Sequence, residues 1–178
     1  NSSTAGLARF KPFVDWYFPY LSSKVEPSSG LWCTSDQRAK HGEINCIGGS
    51  FHIDFVFQYA VLNPGIAKHQ KDAAFPAAAA QLNASLALQG RGGAWSSNGL
   101  QYLDVDGIYQ ATRPAVQLGR SRWDEVEDAC DALMAITTTA LTTEAVMLGR
   151  LVSDNSHILP ALVSAVAECQ THFPAMIK

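Results

Sequence analysis

His52-Ile53-Asp54-Phe55-Val56-Phe57-Gln58 lies over Asp104-Val105-Asp106-Gly107-Ile108-Tyr109-Gln110, matching an aliphatic residue, an Asp, an aliphatic, an aromatic and a Gln in order, at a shift of 52 residues. A weaker third copy, Asn155-Ser156-His157-Ile158, is similar to Ser50-Phe51-His52-Ile53 and lies 53 residues beyond the second. Self-similarity at such a period is the mark of a repeat architecture. Each copy opens a segment that is apolar nearly all round, as in Phe55 to Leu62. A helix of that kind has to be enclosed by others. The three copies are therefore read as the starts of three inner helices, the first ending at Asn63-Pro64-Gly65 and the second at Leu118-Gly119. Pro114 should kink the second.

Between them lie more amphipathic segments. Ser121 followed by Asp124 and Glu125 reads as an N-cap with acids in the first turn, and Val126, Ala129, Cys130, Leu133 and Met134 keep helical spacing. Ala73 to Gln89 is a second outer helix, rich in Ala and Leu. Phe10 to Leu21, interrupted by Pro12 and Pro19, is a third, and Leu141 to Gly149 adds a further segment. Two outer helices lead into similar turns, Ser29-Gly30-Leu31-Trp32 and Gly92-Gly93-Ala94-Trp95. The first connection is longer, and its extra stretch, Cys33 to Asn45, is polar and expected to be a surface loop. The whole of 1–178 thus reads as a single all-α domain of helical-hairpin repeats about 52 residues long.

Composition agrees with a folded globular chain: 47% of residues are apolar and 16% charged. A net charge of -3 with no Lys/Arg cluster argues against nucleic acid as a partner. The longest apolar runs fall well short of the roughly 18 residues of a membrane span. Cys33, Cys46, Cys130 and Cys169 form no CxxC pair and read first as buried or free thiols. Two sequons, at Asn1 and Asn83, allow a secreted or lumenal origin and with it a Cys33/Cys46 bridge. The start at Asn1, without Met, suggests a piece of something longer.

An outer helix, a Gly-x-Trp turn and an apolar inner helix, repeated, resemble the α/α toroid of terpenoid cyclases, protein prenyltransferase β subunits and several polysaccharide-active enzymes. Leu88-Gln89 followed by Gly92-Gly93-Ala94-Trp95 is similar to the Gln/Trp repeat of triterpene cyclases. The acidic Asp-x-Asp-Asp of that family has as its counterpart Asp104-Val105-Asp106-Gly107, which lacks the last acid. A full toroid has about twelve helices, so the resemblance implies an incomplete ring whose apolar seam is covered by another chain or by a missing half.

In such a ring the openings of the inner helices converge on a central funnel, bringing together His52, Asp54, Asp104, Asp106 and His157 as candidate acid, base or nucleophile. Asp54 and Asp106 read equally as helix N-caps, and the histidines as hydrogen-bonded interface residues. Trp32 and Trp95 could stack on a sugar or an isoprenoid, or plug the gap between repeats. Tyr109 and Arg113 would complete the binding surface. Arg113 is structural if paired with Asp104 or Asp54, and a receptor for a carboxylated sugar if free. Asp104-x-Asp106 starts like a calcium loop but fails at Tyr109 and Ala115, and no zinc spacing is present, so no metal is expected. With no phosphate-binding or dinucleotide motif, no cofactor is expected either. The functions in view are a carbohydrate hydrolase, lyase or epimerase, an isoprenoid-handling enzyme, and a non-catalytic subunit of a larger complex.

Overall fold

The computed structural model describes residues 12–13, 15–62, 77–143, 149 and 157–176, and the regular structure among them is helical, with no strand. In chain order the helices are α1 (15–22), α2 (Ser35–His41), α3 (Glu43–Leu62), α4 (Ala78–Leu88), α5 (Leu103–Gln117), α6 (Trp123–Thr143) and α7 (Ile158–His172), followed by a short 3-10 turn at Pro174–Met176.

The stretch expected to be a loop is instead structured. Thr34 accepts a hydrogen bond from the Gln37 amide while the Gln37 side chain accepts one from the Thr34 amide, a reciprocal cap that starts α2. Gly42, at φ 78°, turns the chain directly into α3. Because α3 begins at Glu43, His52 and Asp54 lie in its middle and do not open it. Asp104, second residue of α5, and His157, immediately before α7, do sit at helix starts. The apolar character of Phe55 onward marked a helix correctly but not its beginning, since Gly48 and Gly49 are carried inside the helix.

Other boundaries shift as well. Helix α6 begins at Trp123, beyond Ser121, and runs to Thr143, so Leu141 belongs to it and not to a separate segment. Residues 144–148 of that segment, Asn63-Pro64-Gly65 and 73–76 of the second outer helix lie outside the described residues. Pro19 is accommodated within α1. Pro114 likewise sits inside α5, which continues to Gln117 before Gly119, at φ 69°, ends it.

Helix α5 is the centre of the packing, touching α3, α4, α6 and α7. Ile108, Ala111 and Ala115 are fully buried on it, against a core that includes Ile47, Leu82, Val126, Leu133, Leu162 and Ala165. Small residues let the neighbours approach. Gly107 lies against the Trp95 indole, where an added Cβ would come 2.3 Å from the ring.

The two Gly-x-Trp turns are built alike. Gly30 (φ 69°) and Gly93 (φ 91°) take the left-handed conformation and press on backbone, at Ala77 and Gln81 for the first and Ala132 for the second. The indole N–H of Trp32 donates to Leu21 O at 2.8 Å, and that of Trp95 to Ser85 O at 2.9 Å. Both tryptophans are buried. A disulfide joins Cys33 to Cys46, tying the start of α2 to α3. No helix among the described residues is long and apolar enough to cross a membrane.

Candidate functional site

A cleft of about 730 Å³ opens between α3, the start of α5 and the start of α7. That volume falls within the range of small-molecule sites. Phe51, Leu103, Val105, Pro160 and Ala161 supply apolar wall, and Asp106, His52 and His157 supply the chemistry. α5 delivers Asp106 within its first turn, α7 delivers His157 at its head, and α3 delivers His52 from mid-helix. Gly48 on α3 makes room for the acid, since a Cβ there would sit 3.2 Å from Asp106 Oδ2.

Asp106 is 5% exposed and makes no hydrogen bond or ion pair among the described residues. Burial, reinforced by the negative charge of nearby Asp104, lifts its carboxyl to about 7. An acid poised near neutrality in an apolar cleft can give or take a proton.

The other two aspartates have different work. Asp104 accepts the backbone N–H of Trp95 at 2.8 Å on Oδ1 and that of Gln101 at 2.6 Å on Oδ2. Its carboxyl is pushed up by burial and pulled back by those two bonds. Asp54 is buried between helices, and its Oδ2 accepts from both the Gln81 and the Gln110 side-chain amides, while Gln81 also donates to Gln110. Burial raises Asp54 to about 8 despite these bonds. The triad joins α3, α4 and α5 through their polar interiors. Neither Asp54 nor Asp106 caps a helix, contrary to one sequence reading. Asp54 is mid-helix, and no side chain caps the start of α5.

Arg113 has a partner that the sequence did not suggest. Its Nη2 donates to Glu168 Oε2 at 2.6 Å, rather than to Asp104 or Asp54, because α7 packs along α5 and brings Glu168 across. Thr112 Oγ1 donates to Glu168 Oε1 at 2.5 Å, His172 Nε2 lies 3.1 Å from the same oxygen, and the guanidinium stacks on Tyr109. Burial alone would raise the Glu168 carboxyl, but hydrogen bonds from His172, Thr112 and Arg113 and the arginine charge hold it below the usual value.

The structure thus brings His52, Asp106 and His157 to one cleft and leaves Asp54 and Asp104 in the packing. Trp32, Trp95, Tyr109 and Arg113 do not line that cleft. Sequence reading missed Gln81, Gln110, Thr112, Glu168 and His172. Glu168 had a legible signal, a lone acid between Ala165 and Cys169 on an apolar helix face, which requires a partner once buried. No protein-family model, curated protein or solved structure matches this chain.

Proposed function

We propose that the chain is part of an α/α-toroid enzyme of lyase or epimerase type acting on carbohydrate, with Asp106 transferring the proton and His52 and His157 orienting the substrate or serving as the opposing base. The observation that carries this reading is a buried acid, its carboxyl raised to about 7, that lines one cleft together with His52 and His157. A glycoside hydrolase using two carboxylates is less well supported, because Asp54 and Asp104 are engaged elsewhere. The toroid arrangement draws support from the two alike Gly-x-Trp turns and from helices that surround α5. A partner chain or further repeats would then complete the ring.

The apolar walls favour a second reading, an isoprenoid-handling site in which the Asp106 acid protonates an alkene. The experiment is to incubate the protein in deuterated water with neutral and uronic-acid oligosaccharides and, separately, with linear isoprenoids. Deuterium appearing at a sugar carbon in the parent, and absent in Asp106→Asn, supports the first reading. Cyclised isoprenoid products support the second. Turnover unchanged in Asp106→Asn, His52→Ala and His157→Ala would remove the cleft from consideration, and a chain inert toward all of them that copurifies with a stoichiometric partner would favour a non-catalytic subunit.

A further inference from the structure

The solvent side of α1 is built of aromatic rings. Phe13, Trp16, Tyr17 and Tyr20 recur at the three- and four-residue spacing that puts side chains on one helix face. Phe18 and Leu21 take the buried face instead, and Leu21 O also holds the Trp32 indole N–H. The outward rings stay in water: Trp16 is 60% exposed, Phe13 52% and Tyr20 46%. They close on one another. Phe13 stacks on Tyr17 with ring centres 4.7 Å apart, Trp16 stacks on Tyr20 at 5.4 Å, and Trp16 is tilted against both Phe13 and Tyr17. At the end of the row the Lys24 ammonium stands 5.3 Å from the centre of the Tyr20 ring. Asp15, by the same helical spacing, falls on the other side of the helix.

A contiguous apolar patch left in water marks a surface that something covers. Residue type and charge say what. Trp and Tyr join an apolar ring to a polar tip, the combination that settles at a membrane–water interface, and a neighbouring Lys adds attraction to lipid phosphate. Residues 1–24 carry Arg9, Lys11 and Lys24 against the single acid Asp15, a net charge of +2 in a chain whose overall charge is -3. An anionic surface therefore attracts this end of the chain and repels the remainder, which orients the molecule as it docks. Pairwise stacking also spends ring faces on each other, which leaves less open plane for a sugar to lie on. We infer that α1 is an interfacial anchor: its aromatic face seats between headgroups and acyl chains of an anionic membrane, with Lys24 at the lipid phosphates. The helix lies on the bilayer and does not span it, in keeping with its length.

The test sediments the protein with vesicles of phosphatidylcholine mixed with phosphatidylglycerol, and with vesicles of phosphatidylcholine alone. The expected result is pelleting with the anionic vesicles, weakened by salt. Trp16→Ala/Tyr20→Ala changes two exposed side chains, so it should keep the parent's circular dichroism and lose about tenfold or more in vesicle affinity. Lys24→Glu should lower affinity for the anionic vesicles severalfold. Fluorescence reads the seat directly. Trp32 and Trp95 are buried, so Trp16 is open to aqueous iodide, and vesicles should shield it. Trp16→Phe keeps an aromatic ring and should still pellet, without that change in quenching. No pelleting with anionic vesicles, or pelleting unchanged in Trp16→Ala/Tyr20→Ala, overturns the inference. Iodide quenching of the pelleted parent equal to that of the free protein overturns it too. An inert parent toward vesicles that is retained on an oligosaccharide matrix, or that dimerises, with either property lost in the double variant, would assign the face to a sugar or to a second copy and likewise overturn it.

Discussion

The backbone N–H of Trp95 and the carboxylate of Asp104 meet at 2.8 Å, and the second oxygen of that carboxylate takes the Gln101 N–H, so one side chain fixes both ends of the loop that leads into α5. Asp104 is therefore a clamp on the Gly-x-Trp turn. Asp104→Asn can keep one of these bonds but sets an NH2 against the other N–H. The expected loss is about 1.5 to 3 kcal/mol in urea unfolding, and a loss under about 0.5 kcal/mol would show that the clamp is dispensable.

Asp106 behaves oppositely. Its ordinary value of 3.8 rises to about 7, so the acid form that donates a proton is present at neutral pH and lost as pH climbs through about 7. Activity should fall across that interval, and Asp106→Asn should lower the rate by about 10² to 10⁴ while leaving folding intact. Identical pH–rate profiles for parent and variant would assign the proton transfer to another group.

For Asp54 the readout is stability. With the folded carboxyl at about 8 and the unfolded one near 3.8, the folded state holds a proton the unfolded state has released throughout that window. Stability accordingly declines as pH rises from about 4 to about 8. Asp54→Asn keeps an oxygen for Gln81 and Gln110 and cannot ionise, so it should flatten the decline and exceed the parent at about pH 9. Asp54→Leu strands both amide donors and should cost about 1 to 3 kcal/mol. Urea curves for all three proteins at several pH values decide it, and parallel parent and Asp54→Asn profiles would mean Asp54 does not govern the slope.

Gly107 and Trp95 make a coupled pair. Gly to Ala within a helix ordinarily gains roughly 1 kcal/mol, yet here the new methyl meets the indole at 2.3 Å. Gly107→Ala should instead destabilise by about 1 to 3 kcal/mol, and Trp95→Ala by about 3 to 5 kcal/mol. In a Trp95→Ala background the clash is gone, so adding Gly107→Ala should be neutral or favourable. Additive losses in the double variant would contradict this packing.

The sequence by itself determined that the chain is helical and where chemistry-bearing residues fall along it. The 3.6-residue spacing of apolar groups, the Gly-x-Trp turns and the Gly119 stop are local signals, set by backbone sterics and by which face must leave water. Of the five residues expected to converge, His52, Asp106 and His157 line one cleft and Asp54 and Asp104 do not, and the start of α3 was misplaced because Cys33 to Asn45, which holds the capped α2 and the first residues of α3, was read as loop. Only tertiary structure decided which aspartate is which. Asp54, Asp104 and Asp106 are chemically identical in the chain, and they differ by what the packing sets beside them: two glutamine amides, two backbone N–H groups, or an open apolar cleft. The partnership of Arg113 with Glu168, 55 residues apart, was equally out of reach. A buried charge takes its partner from the helix packed against it, and that neighbour is settled by the burial of whole helix faces, which no local spacing encodes.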